Sequence, residues 1–537
     1  MGCAASTSSV SIVPSARQTI RIVENCLIVW LGDHADGHQR LRQLGYELRA
    51  FDNVNACIDF LAGIDDERVF LVVSSAQPSL ERFHALAQLE KIYTFDSNSS
   101  TSLTDALDID GLYQQLQHDI ELCESDLIAL TTVPSSPPPS VLSTDLTRQE
   151  ASFLFGQTIK EVTHRLKLES RAKDVFVDFC RTHYATNPTQ LSLIDTFANE
   201  YRPNQALQWL INPCFISRII HRVLRTHEVD VLYKTGFFLK QMNIQLCHLS
   251  EENGTSTEKM ITVYYGKTMS SDDFHVLIES NERGFLSFGS FLLTSTRSDV
   301  AANAIRHRLA LHPDMTGVMF EIQLDTRLSS QRSPFALLKD ISRQTHQICF
   351  DFGGIFRITS IEQTTVRRVK LTPVGDHDPQ LVRLLASVRT DDVYANPLSF
   401  LGKLLMDMKE YRRAEQFFLG LLQDASIRSQ PQRSLRVHTG LGANYTHKGE
   451  YDKALEHYQQ ALRLALNYLP ADHVELAPIY RCIGDSYFQQ SDSSAAVRSY
   501  EKALALLDGN TQHANLDTLN ELHARIDRAK RMVSSEH

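Results

Sequence analysis

With 537 residues the chain exceeds what one hydrophobic core organises, so roughly three or four domains are expected. A composition of 42% hydrophobic and 22% charged residues is that of ordinary globular protein and excludes collagen, a long coiled coil and wholesale disorder. The net charge of -10, with Lys and Arg scattered rather than clustered, offers no face for a phosphate backbone and argues against nucleic acid as a partner.

Residues 1–21 are expected to form a disordered tail. Met1-Gly2-Cys3-Ala4-Ala5-Ser6 fits the pattern in which Gly2 is myristoylated once Met1 is removed, and Cys3 is placed for palmitoylation. One acyl chain binds membranes only marginally, so the second would make the anchor durable. The alternative is a plain Ser/Thr-rich tail, since no basic patch follows. Nine cysteines, odd in number and without metal-ligand spacing, suggest reduced thiols, and neither a metal site nor a secretory signal is expected. The location implied is cytoplasmic, at the inner face of a membrane if the tail is acylated.

From 22 to 130, apolar runs alternate with helix-like stretches: Cys26–Leu31, His38–Leu44, Leu48–Phe51, Ala56–Leu61, Val69–Val73, Phe83–Leu89 and Ile92–Phe95. The order βαβαβαβ predicts a parallel sheet covered by helices, flavodoxin-like or receiver-like. The third strand ends on Val72-Val73-Ser74-Ser75, with no carboxylate to accept a phosphoryl group, and no glycine-rich loop follows the first strand. The domain's ligand is left open. Pro134-Ser135-Ser136-Pro137-Pro138-Pro139-Ser140 favours extended polyproline conformation and marks a linker over 131–147.

The segment 148–375 begins helical, with apolar residues at three- and four-residue spacing in Phe153–Leu166, Ala172–His183 and Phe215–Leu224. Strand patterns follow at Ile261–Tyr265, Leu292–Thr296, Val318–Leu324, Gln347–Phe350 and Phe356–Ile361, which makes an α+β domain. Within it, Val263-Tyr264-Tyr265-Gly266, then Gly284-Phe285-Leu286-Ser287-Phe288 leading to Phe291-Leu292-Leu293-Thr294-Ser295-Thr296, then Val318-Met319-Phe320-Glu321-Ile322, and finally Ile348-Cys349-Phe350 leading to Phe356-Arg357-Ile358, occur in a telling order. From about Gln190 to Gln363 the chain resembles arginine-specific mono-ADP-ribosyltransferases, in particular multidomain relatives that carry tetratricopeptide repeats.

The resemblance implies an ADP-ribosyltransferase fold, NAD(P)+ as substrate and ADP-ribose transfer to protein arginine. Cleaving the nicotinamide–ribose bond develops oxocarbenium character, which a carboxylate stabilises. The family's phosphate-holding Arg falls on Tyr265, the first Ser of its Ser-Thr-Ser strand on Leu293, and its Glu-x-Glu on Thr345-His346-Gln347. Thr294 and Ser295 match, and no Glu-x-Glu occurs elsewhere between Gly317 and Gln363. Carried over by position, Gln347, Thr345 and Ser295 would be catalytic, and Tyr265, Gly266, Lys267, Thr294 and Ser295 would hold the cofactor. Lys267 shares a strand face with Tyr265 and could replace the missing cation, although a solvated strand end is the blander reading. Losing one placed charged group costs on the order of 10²–10³ in rate. Two readings remain beside an active transferase: a pseudoenzyme scaffold that keeps NAD affinity, and an adaptor with none.

The last segment, 391–537, is periodic. Gly402, Gly442 and Gly484 are each followed twelve residues later by Ala414, Ala454 and Ala496, and sixteen later by Phe418, Tyr458 and Tyr500. Ala461 and Ala503 stand nineteen after the second and third marks. Small residues at fixed offsets let paired helices approach while the aromatic fills the gap between neighbours, which predicts an all-α solenoid of helix hairpins. The units resemble tetratricopeptide repeats of the longer-period, kinesin-light-chain style, and Lys448-Gly449-Glu450-Tyr451-Asp452-Lys453-Ala454 is the strongest match. Such repeats imply a protein or peptide partner. The amphipathic stretch Leu516–Met532 is expected to cap the stack.

Overall fold

The computed structural model describes residues 24–32, 35–64, 66–74, 82–83, 86–95, 108–134, 147–165, 171–253, 260–325, 333–338, 347–375, 377–386, 397–423, 425–508 and 516–535. Every residue of β1 (Cys26–Leu31) is buried, as a central parallel strand covered on both faces requires. It pairs in parallel with β2 (Leu48–Phe51) and β3 (Arg68–Ser74), and β4 (Leu89–Phe95) extends the sheet in the order β2-β1-β3-β4. The helices α1 (Ala35–Arg42) and α3 (Ile109–Asp126) contribute Leu41, Leu112, Leu116 and Ile120 to the core with Ile28, Trp30 and Phe70. On the other face α2 (Val54–Leu61) sets Cys57 and Leu61 on Leu27, Val29 and Leu71. Asn53 starts α2 by accepting from the amides of Asn55 and Ala56.

The chain then enters a second sheet earlier than its Pro/Ser stretch suggests. β5 (Leu130–Val133) pairs antiparallel with β7 (Phe285–Phe288), so 131–133 is strand rather than linker; the remainder of that stretch, 135–146, lies outside the described residues. A helical layer follows, made of α4 (Arg148–Arg165), α5 (Ala172–His183), α6 (Pro188–Glu200), α7 (Ala206–Ile211), α8 (Phe215–Thr226) and α9 (Val229–Asn253).

The strands β6 (Met260–Met269), β8 (Leu292–Ser295), β9 (Thr316–Asp325), β10 (Phe335–Leu337), β11 (Gln347–Phe350), β12 (Ile355–Glu362) and β13 (Arg367–Pro373) join β5 and β7 in one nine-stranded sheet. Its order is β10-β11-β8-β6-β9-β13-β12-β7-β5. Four strands stand between β11 and β12, which would hold them roughly 24 Å apart in a flat sheet. Yet the rings of Phe350 on β11 and Phe356 on β12 meet with centroids 5.4 Å apart, so the sheet curls until its inner face closes on itself. The interior is packed with Phe288, Phe320, Phe335, Phe350 and Phe356. α11 (Ser298–Leu311) lies outside the curl against Tyr264 and Met319, α10 (Ser271–Leu277) adds Phe274 to the interior core, and α12 (Pro379–Ala386) sets Leu381 and Leu385 into the core of the helical layer. An alanine at Gly266 or Gly317 would meet α11 at 2.4 Å and 2.5 Å respectively, which is how closely that helix lies on β6 and β9.

The C-terminal helices form three hairpins: Pro397–Asp407 with Tyr411–Gln423, Pro431–Lys448 with Tyr451–Leu466, and Ala477–Gln489 with Ser493–Asp508. Ala414, Ala454 and Ala496 are fully buried, as the spacing predicts. The aromatic sixteen residues after each glycine fills space within its own hairpin, and Phe418 also meets the next one, since a methyl on Gly440 would lie 2.5 Å from its ring. A methyl on Gly402, Gly442 or Gly484 would lie 2.1, 2.6 or 2.6 Å from the ring of Phe418, Tyr458 or Tyr500. Helix Leu516–Ser535 covers the open end with Leu522, Ile526 and Ala529. The array is not a separate body, because a single apolar core runs from Phe153 and Phe155 of α4 through Leu404 and Phe418 to Ile483.

Candidate functional site

The resemblance places the reacting centre where β6, β8 and β11 run side by side. Ser295 on β8 stands opposite Tyr264 of β6 on one side and Gln347 of β11 on the other. Residues directly opposite in an antiparallel ladder share a sheet face, so Tyr264, Ser295 and Gln347 face together on the outside of the curl. Leu293, two residues from Ser295, shares that face and is 37% exposed. The hydroxyl of Ser295 accepts from the Arg297 amide at 3.1 Å. Gln347 is half-buried, and its carbonyl accepts from the Leu338 amide at 3.0 Å.

Tyr265, Lys267 and Thr294 point the other way, into the curl. Tyr265, expected to hold the cofactor, and Gln347, expected to be catalytic, therefore lie on opposite faces: the register aligns Tyr264, not Tyr265, with Ser295, and a step of one residue changes the face. Tyr265 is buried and stacks against Phe320, with its ring edge-on to Phe288. Its hydroxyl donates to the carbonyl of Ser125, and the Lys267 ammonium donates to that of Asp126, both at the C-terminal end of α3. Lys267 is thus a half-buried strand residue with its ammonium spent on a carbonyl, not a freely solvated strand end. Burial pushes its ammonium below, and the phenol of Tyr265 far above, their ordinary ranges. The Asp126 carboxylate accepts from the Thr268 amide at 2.6 Å, and Arg308 of α11 lies 3.4 Å from it. Thr294 spends its hydroxyl on the carbonyl of Ile348 at 3.1 Å. Gly266 marks the close approach of α11 rather than an open pocket. Thr345, Gly2 and Cys3 lie outside the described residues.

Sequence reasoning missed the polar seam that fixes the first sheet to the helical layer. Arg218, Arg222 and Arg225 project from one side of α8. Arg218 pairs with Glu24 and donates to the carbonyls of Leu44 and Gly45, while its guanidinium covers the Tyr46 ring at 3.6 Å. Arg222 pairs with Glu67 at 3.0 Å, and Arg225 reaches Asn25 and the Asp66 carbonyl. Beside them Glu124 is half-buried with its Oε1 out of solvent, its carboxylate accepts from the Tyr46 hydroxyl, and its carboxyl is pushed up to about 7, chiefly by burial. Three arginines at four- and three-residue intervals in an otherwise apolar helix were the available signal. A cavity of about 60 Å³ lies between α4, α8 and β7, lined by Ser152, Gly156, His227, Ser287, Gly289 and Gly353. Among the described residues no helix is long and apolar enough to cross a membrane.

Comparison with known proteins bears on the hairpins. The tetratricopeptide repeat family model matches residues 433–508, so the chain contains a tetratricopeptide repeat domain. The tetratricopeptide repeat domain-containing protein PYG7, chloroplastic, of Arabidopsis thaliana is 26% identical over 161 residues, covering 30% of this chain and 48% of that protein. The match thus spans about half the length of the relative. Among solved structures, BtubC (BKLC) from P. vanneervenii matches over 29% of this chain and 70% of its own at 17% identity, with a TM-score of 0.23 that carries no argument.

Proposed function

We propose that this chain is a scaffold. Its helix hairpins dock an extended peptide or a helix of a partner protein, and its middle domain is a pseudoenzyme of ADP-ribosyltransferase type. The observation that carries the second half is the filling of the inner sheet face. The two side chains that would hold the NAD(P)+ phosphates, Tyr265 and Lys267, are spent on main-chain carbonyls of α3. Gln347 supplies an amide where the reaction calls for a carboxylate, which keeps a hydrogen bond but not the charge. The tetratricopeptide repeat domain supports the first half, since stacked hairpins present the extended surfaces by which such arrays hold peptides. Exposed Lys403, Arg433 and Arg436 on the first helices of two hairpins suit a partner segment with acidic side chains. Acylation at Gly2 and Cys3 would bring this scaffold to a membrane surface.

Calorimetry of the full chain with NAD+ tests the reading. No heat of binding is expected up to millimolar nucleotide. Saturable binding that Lys267→Met abolishes would show that the inner face opens to a nucleotide, and would restore the transferase reading.

A further inference from the structure

The second hairpin carries two histidines that no function considered so far uses. His438 lies on Pro431–Lys448 and His457 on Tyr451–Leu466, and their Nδ1 atoms face each other 3.0 Å apart. Both rings are half-buried, with centroids 5.3 Å apart and planes 31° from parallel. Tyr445 stacks on His457 at 5.4 Å, and its hydroxyl is fixed by Glu415 at 2.7 Å, itself paired to Lys448. One ring of the pair is therefore held from behind, which pre-organises its nitrogen. Glu415, Glu456 and Arg463 are the charged groups that act on the pair. Burial, then the neighbouring ring, takes His438 down to about 4, and burial lowers His457 too, so both are neutral imidazoles near pH 7.

We propose that His438 and His457 form a two-imidazole site for a divalent transition metal of the Ni²⁺ or Cu²⁺ class, with both Nδ1 atoms as ligands. Nitrogens 3.0 Å apart at bond lengths of about 2.0–2.1 Å subtend about 95° at a metal. That is the angle of neighbouring ligands in a tetragonal site rather than the wider one of tetrahedral zinc. Among the described residues no three His, Cys, Asp or Glu side chains gather as a ligand set, so water completes the coordination. On binding, the proton between the rings moves to Nε2 of its own ring and both Nδ1 lone pairs bond the metal, with no net proton change. The metal would staple the two helices of the hairpin at the centre of the array.

Titration calorimetry and thermal melts of the full chain with Ni²⁺ test this against His438→Gln and His457→Gln, each first checked for its fold in EDTA. The chain has 21 histidines, so the difference between proteins is what counts. The unmodified chain should bind one equivalent more than either variant, and Ni²⁺ should raise its Tm while leaving both variants unmoved. Equal stoichiometry and equal Tm response would overturn the site. If neither variant folds, the unmodified chain loaded with one equivalent of Cu²⁺ decides. Its electron paramagnetic resonance should show splitting from two nitrogens, and a spectrum with one nitrogen or none overturns the proposal.

Discussion

Gly442 has no room for a side chain, because a methyl there would stand 2.6 Å from the Tyr458 ring. Alanine in place of a helical glycine normally gains about 1 kcal/mol in propensity, whereas forcing a carbon into a packed core costs about 1–3 kcal/mol. Gly442→Ala should therefore lower stability by about 1 kcal/mol in a denaturant titration, while Gly156→Ala, which meets nothing within 4 Å, should raise it. The repeat was legible because each glycine and its aromatic touch directly and so keep a fixed spacing. The sheet site was less so. Neighbouring tyrosines at 264 and 265 face opposite ways, and only the register against Ser295 decides which of them belongs with Gln347. A second residue-scale effect concerns Glu124, whose carboxyl stands at about 7 in the fold against an ordinary value of 4.5, chiefly through burial. A raised carboxyl pKa gives stability that is complete below the unfolded value and is lost as pH rises through the folded one. Stability should fall by up to roughly 3 kcal/mol between pH 4.5 and 7 from this group alone. Glu124→Gln should flatten that slope in urea melts taken across the range; an unchanged slope would mean that the carboxyl is not buried as described.

At the scale of elements, the C-terminal end of α3 is docked into the middle sheet. Asp126 accepts from the Thr268 amide and pairs with Arg308, while its own carbonyl and that of Ser125 hold Lys267 and Tyr265. Asp126→Ala keeps the carbonyls but would leave the Thr268 amide and hydroxyl without their acceptor and take one carboxylate from Arg308, at a cost of about 3 kcal/mol. Faster amide exchange along β6 should accompany the loss, and unchanged protection there would argue that α3 merely rests on the sheet. Most element types were visible in the apolar periods of the sequence, but the stretch Phe83–Leu89, expected as a helix, is turn at 87–88 with Leu89 starting β4, and no expectation covers β10 or β13. The docking was not visible, since Ser125 and Asp126 end an ordinary helix and use main-chain carbonyls that any sequence supplies. The arginines of α8 lie between these extremes: their spacing was written in the chain, but their partners Glu24, Asp66 and Glu67 are about 150–200 residues away.

Across the whole molecule the parts are knit rather than strung. Arg413 of helix Tyr411–Gln423 pairs with Asp66, whose carbonyl also accepts from Arg225, so one turn of the first domain meets both the helical layer and the array. The apolar core shared by α4 and the hairpins makes independent unfolding of the array unfavourable, and one cooperative transition should cover both. The acylation proposed for Gly2 and Cys3 has its own test on the intact protein: it predicts a membrane-bound fraction that Gly2→Ala releases, and unchanged fractionation would remove the lipid anchor from the account. The central claim is that a transferase-like sheet now serves as structure for a peptide-docking scaffold. Turnover of NAD+ by the full chain, followed with and without an arginine-rich acceptor protein, tests it most directly. The account predicts no nicotinamide release above the uncatalysed background, and release at ordinary enzyme rates of about 1 s⁻¹ or more would contradict it.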